Sequence, residues 1–263
     1  MDDCYIISDV LRDTTSKNLD FYIETPGGSG EAVEEIVRFI RGKFKNVNSL
    51  VSGEAKSASA GTLLTLSGDE IYMTESGSLG PIDAQLKIGR SVISAYDYME
   101  WIDNKMDEAK KVGKLNPLDA TMVAQISPGE INLVFHAMKF AEDLVMEWLP
   151  KYKFKKWKFT DERQIKVTTK MKKDRAKEIA GELINHAKGR THGRYFKIND
   201  LEKIGLHIKR VDDDLDLSDI VYRIQTVIRL IFSSSTNYKI FATADERIFK
   251  SASPVGTPSN FSC

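Results

Sequence analysis

Apolar positions along the first third of the chain alternate between two repeats, and that alternation sets the order of elements. Leu19–Glu24 ("LDFYIE") is rich in aromatic and β-branched residues and predicts a strand, which Pro26-Gly27-Gly28 ends. Ala32, Val33, Ile36, Val37, Ile40 and Phe44 then recur at the helical spacing, so Ser29–Phe44 reads as an amphipathic helix with Ser29 placed to cap it. Val47–Val51 reads as the next strand, Ala60–Leu66 as a buried helix of small and aliphatic residues, and Glu70–Met73 as a third strand. Leu79-Gly80-Pro81-Ile82-Asp83 is a turn leading into a further strand, and a short helix over Asp3–Leu11 precedes the whole series. Strand, helix, strand, helix, strand implies parallel strands joined by crossovers, an α/β architecture.

The second half reads as mostly helical. Val92 to Lys114 has a helical pattern, and Pro128–Lys151 forms a long amphipathic stripe with Val134, Met138, Leu144, Val145 and Trp148. Leu201–Val211 predicts a helix, a glycine stop and a short strand, and Ser218–Phe232 a strongly apolar helix. The expected organisation is one domain over residues 1–250, with 119–190 a helical and basic-arm insertion and 251–263 a disordered tail. Lys151 to Lys177 interleaves lysines with Tyr152, Phe154, Trp157 and Phe159. That pattern suits stacking on nucleic acid or an arm docked on the body or on a neighbouring subunit. The chain has 38 basic and 38 acidic residues, hence no global field, and no nucleic-acid motif accompanies the stripe, so the docked arm is favoured.

Its two cysteines, Cys4 and Cys263, have no partners at metal-ligand spacing, which predicts no metal centre and a reducing, cytoplasmic setting. No apolar run reaches membrane-spanning length, and the first twenty residues lack the basic start and apolar stretch of a signal peptide. Membrane and nucleic-acid partners are therefore not expected. No P-loop is present either, and no cofactor is expected.

Two stretches have the residue types that acyl transfer needs. A glycine pair after a strand lets backbone N–H groups face a ligand without a side chain in the way. A serine among small residues ahead of a buried helix suits a nucleophile whose acyl adduct needs room. Taken singly, "PGG" is also an ordinary turn and "SAS" an ordinary packing site. In order, "TPGGSGEA", a helix and strand, "SAGTLLTLSGDEIYM" and "SLGPIDAQ" resemble the Clp protease and signal peptide peptidase A superfamily of the crotonase-like fold, with the serine dehydrogenase proteinase branch nearest. The resemblance is strong from Leu19 to Leu86 and resumes at "THGRYFKINDLEKIGLHIKRV".

The resemblance implies repeated ββα units around a mainly parallel sheet, with helical additions in the C-terminal half. It also implies a serine peptidase that acts through an acyl-enzyme, binds peptide as an added strand and assembles into homo-oligomers. By the same mapping Ser59 is the nucleophile, and the backbone N–H groups of Gly28 and Ala60 form the oxyanion hole. Ser57 competes with Ser59, because "AKSASAGT" reads as a family "AKSAGT" with an inserted Ser-Ala pair. The family's acid and base positions correspond to His192 and Asp83, with their order exchanged; turn capping is the alternative role for Asp83, and a surface loop the alternative setting for His192. A lysine base, as in the peptidase A relatives, leaves Lys110, Lys111 and Lys114 open, while His136, His186 and His207 read as structural. Family members place a strand and a full helix before the PGG strand, whereas this sequence begins almost within that helix. Two other functions are compatible with the pattern: an acyl-thioester enzyme of the crotonase type, and a scaffold that kept the fold without catalysis.

Overall fold

Two β-α-β crossovers set the first half of the molecule, and a computed structural model describes the protein over residues 2–53, 60–88, 90–160, 163–185 and 195–252. In chain order the elements begin with α1 (Asp2–Val10), β1 (Asn18–Ile23), α2 (Gly30–Lys43), β2 (Asn46–Val51), α3 (Ala60–Leu66) and β3 (Glu70–Met73). They continue with β4 (Gln85–Ile88), β5 (Ser91–Ser94), α4 (Ala95–Val112), α5 (Pro117–Ala124), α6 (Pro128–Lys151) and α7 (Thr169–Asn185). The last are α8 (Ile198–Lys203), β6 (Lys209–Arg210), α9 (Leu215–Ser234), β7 (Asn237–Ala242) and β8 (Arg247–Ser251). Strands β1, β2, β3 and β6 lie in that order in one parallel sheet, so the protein is a mixed α/β protein.

The sheet buries alternate residues of its inner strands, Val47, Ser49 and Val51 on β2 and Ile71 and Met73 on β3. Helix α2 begins where Ser29 Oγ accepts the Ala32 N–H at 3.4 Å, and it turns Val33, Ile36, Val37 and Ile40 into the core. Every residue of α3 is buried, which explains its small and aliphatic composition. Helix α6 covers α3 with Ala141, Leu144, Val145, Trp148 and Leu149, and α7 completes that layer with Ala176, Ile179, Ala180 and Leu183. Among the described residues, no helix is long and apolar enough to cross a membrane.

Several sequence expectations need correction. Val92–Ser94 is not helical: Ser91–Ser94 pairs antiparallel with Gln85–Ile88, and the helix starts only after Ser94 caps the Asp97 N–H at 3.0 Å. Helix α7 starts within the basic arm and runs on to Asn185, and its buried Ala176, Ile179, Ala180 and Leu183 lie in a charged stretch that gives little helical signal in the sequence. Helix α5 and the β7–β8 hairpin were not read from the sequence either. The arm's aromatics dock on the body, as favoured. Phe154 is buried, Trp157 meets it edge to face at 5.6 Å, and Tyr152 lies under the Arg41 guanidinium at 3.8 Å; Phe159 stays exposed. Most of the apolar stripe of α6 is likewise used inside the chain, leaving Leu133 and Phe135 exposed on it, beside Leu118 and Met122 on α5. The tail expected over 251–263 starts later, since Ser251 ends β8 and pairs with Asn237, and from residue 253 on it lies outside the described residues.

Arg41 joins three parts of this core. It pairs with Asp69 at 2.7 Å, donates to the Ser67 carbonyl and stacks on Tyr152, while Asp69 also accepts the Val47 N–H at 2.8 Å. Both partners of the pair are nearly enclosed, with side chains 8% and 13% exposed. Arg41→Leu leaves the Asp69 charge without its counter-ion, and is expected to lower unfolding free energy by about 3 kcal/mol in urea titrations followed by tryptophan fluorescence.

Candidate functional site

The parallel register places Ile23, Val51 and Met73 at one level, so the segments after β1, β2 and β3 leave the sheet from the same end. In open parallel sheets this is the end at which ligands bind. After β1, Thr25 Oγ1 accepts the Gly27 N–H at 3.2 Å and tightens the turn. Gly27 has φ 110°, a conformation that side-chain-bearing residues rarely adopt. Gly28 is exposed, and a Cβ built on it would lie 4.0 Å from the Cβ of Ala60, the buried first residue of α3. Gly28 thus faces the start of α3 across a van der Waals gap.

A second set of contacts ties in the remaining motifs. Thr62 Oγ1 donates to the Gly80 carbonyl at 2.8 Å in a buried bond, joining the "AGT" run to the "LGPID" turn. Leu79 and Phe196 exchange backbone hydrogen bonds at 3.0 and 2.7 Å, which brings the "RYF" stretch to the same turn. Asp83 is buried; its Oδ1 accepts the Tyr96 N–H at 3.3 Å and its Oδ2 the Gln85 amide at 3.1 Å. It therefore holds the first turn of α4 in a capping role.

Of the other candidates, Ser57, Ser59, His186 and His192 lie outside the described residues. Ala60, which follows Ser59, and Phe196, four residues after His192, belong to the contacts above. Lys110, Lys111 and Lys114 are exposed at and beyond the end of α4, and Lys110 pairs with Asp107 at 3.3 Å. His136 and His207 are exposed.

Sequence reasoning missed a polar chain at the same end of the sheet, built by α9. Arg229 pairs with Glu24 at 2.8 Å, and Glu24 accepts the Tyr22 hydroxyl at 3.3 Å. Tyr22 is in hydrogen-bonding contact with Ser52, which donates to Gln225 Oε1 at 2.8 Å. Nothing local signals this chain, since Ser52 and Gln225 are 173 residues apart. Burial above all, and then the Glu24 carboxylate, push the Tyr22 phenol up to about 12.

Comparison with known proteins adds little to this geometry. The uncharacterized protein MJ0137 of Methanocaldococcus jannaschii is 37% identical over 70 residues, which is 27% of this chain and 24% of that protein. The chain therefore matches about a quarter of that relative's length. No protein-family model matches, and no solved structure matches.

The Tyr22 shift has a definite pH signature. Between about pH 10, where an unfolded tyrosine ionises, and the folded value near 12, the native state keeps a proton that the unfolded chain has lost. Stability from this group is complete below that window and declines as pH rises through it. In urea titrations across pH 9 to 12 (roughly the span that brackets both values), Tyr22→Phe is expected to show a shallower alkaline loss than wild type.

Proposed function

We propose that the protein is a serine peptidase of the Clp and signal peptide peptidase A type, with Ser59 as nucleophile in a ClpP/crotonase-like domain. The observation that carries the reading is the approach of Gly28 to Ala60 at the C-terminal ends of parallel strands, with Gly28 open to solvent. Two backbone N–H groups from different crossovers, with no side chain between them, are what a tetrahedral oxyanion requires. Ser59 is the residue before Ala60, so its hydroxyl belongs to the same neighbourhood by chain connectivity.

In this reading the Ser59 oxygen adds to a peptide carbonyl while a base takes its proton, and the N–H groups of Gly28 and Ala60 stabilise the oxyanion. Collapse breaks the C–N bond, the base returns the proton to the departing amine, and water then hydrolyses the acyl-enzyme. His192 is the proposed base. The buried carboxylate of Asp83, four residues after the Leu79–Phe196 bridge, is its proposed orienting partner. Peptide binds as an added strand beside β1, whose outer edge has no neighbour among the described residues.

A fluorophosphonate probe is expected to label wild type and Ser57→Ala, but not Ser59→Ala, as read by intact-mass analysis. Labelling is expected to collapse in His192→Ala and to fall ~10²–10³-fold in Gly28→Val, whose branched carbons fill the gap facing Ala60. Label lost only in Ser57→Ala transfers the role to Ser57. A folded wild type that takes no label overturns the peptidase reading and leaves a scaffold of the same architecture.

Homo-oligomerisation is part of the same proposal, now through the apolar residues left exposed on α5 and α6, Leu118, Met122, Leu133 and Phe135. Light scattering at micromolar concentration is expected to give a multiple of the chain mass. The double variant Leu133→Glu/Phe135→Glu is expected to reduce that mass, and a monomeric wild type removes the assembly.

A further inference from the structure

The polar chain under α9 reaches both sides of the proposed oxyanion hole. At one end Arg229 and Tyr22 grip Glu24, the residue after β1 that leads into Thr25 and the glycine turn. At the other end Gln225 grips the two residues that lead out of β2 toward Ser59. Its Oε1 accepts from Ser52, which is fully buried, at 2.8 Å, and its Nε2 lies only 2.1 Å from where a Cβ on Gly53 would stand. Gly53 itself has φ +72°. The Gln225 amide thus occupies the place a side chain would take, against a backbone that already demands glycine.

The rest of α9 touches the body little. Val221 is the buried residue of its twenty, while Ile220, Ile224, Val227 and Leu230 are exposed. Its polar side chains also reach inward: Ser218 and Tyr222 contact Asp212, and Gln225 and Arg229 reach the two loop entrances. A helix that served only to cover the core would bury its apolar side and leave its polar residues outside. Here Gln225 is half-buried at the β2 exit, and Arg229, its side chain 51% exposed, reaches Glu24 at the β1 exit.

We infer that Gln225 and Arg229 are positioning residues, which hold the β2 exit and the β1 exit at a fixed separation and so set the spacing of the Gly28 and Ala60 N–H groups. The inference rests on the peptidase reading for its catalytic consequence, though the clamp itself can be tested without it. Neither residue touches the reacting atoms; each acts through the backbone it grips. Oxyanion donors are sensitive to displacements of an ångström or less, so loosening either grip slows the chemical step more than it weakens binding.

The experiment pairs two readouts on the full chain. Hydrogen exchange followed by mass spectrometry is expected to show at least tenfold faster exchange at residues 24–29 and 53–60 in Gln225→Leu, with the core helices unchanged. Gln225→Glu keeps an acceptor for Ser52 and is expected to restore most of the protection. In fluorophosphonate kinetics, Gln225→Leu and Arg229→Leu are expected to lower the maximal labelling rate about tenfold or more, with the half-saturating probe concentration unchanged. If Gln225→Leu is too unstable to assay, Ser52→Ala breaks the same bond from the other side. Wild-type exchange in the two loops of Gln225→Leu and Ser52→Ala overturns the clamp. Faster exchange with unaltered labelling kinetics overturns its positioning role. A wild type without label overturns the peptidase reading alone, because the exchange data still decide whether the clamp exists.

Discussion

The parallel pairing of β1, β2 and β3 fixes where everything else can go. Because Ile23, Val51 and Met73 end at the same level, three loops leave the sheet together, and residues far apart in the chain meet there. A slip of one residue in this register would turn the alternating Val47, Ser49 and Val51 away from the core and separate the glycine turn from α3. The register in turn is held from the opposite end of the strands. Asp69, just before β3, accepts the Val47 N–H at the start of β2 and is neutralised by Arg41 of α2.

The approach of Gly28 to Ala60 follows from that frame combined with glycine's lack of a side chain. Gly27 supplies the backbone conformation of the turn, and Gly28 supplies the empty space. The two glycines therefore have different physical functions, which a substitution at each would separate. At Gly27 a side chain meets backbone strain; at Gly28 it meets the face of Ala60. The Thr62–Gly80 and Leu79–Phe196 bonds then extend the same assembly to the "LGPID" turn, so four separated sequence motifs share one end of the sheet.

The C-terminal half contributes in a different way. Helix α6 covers α3 and α7 backs α6, which keeps that short helix fully buried at its place beside the glycine turn. Phe140 of α6 approaches Gly30 closely enough that a Cβ there would stand 3.1 Å from its ring, so this layer also braces the start of α2. Helix α9 braces the loops with polar contacts, leaving much of its apolar surface outside.

Periodicity by itself determined the crossover order, the strands at Leu19–Glu24 and Val47–Val51, the Ser29 cap and the helices at Ala60–Leu66 and Pro128–Lys151, because each is encoded by neighbours three, four or two residues apart. The resemblance of the "PGG" and "SAGT" motifs, and not periodicity, put Gly28 and Ala60 forward as a pair. Only the tertiary structure decided that Ser91–Ser94 pairs as a strand, because two apolar residues between serines suit either element until a partner such as Gln85–Ile88 is present. The same holds for α7, whose buried Ala176, Ile179, Ala180 and Leu183 are set among charged residues that hide the helix face until α6 covers it. The contacts of Gln225 and Arg229 were beyond the sequence for a plainer reason: a polar side chain's partner across 173 residues is set by how the whole chain folds, and no local pattern encodes it.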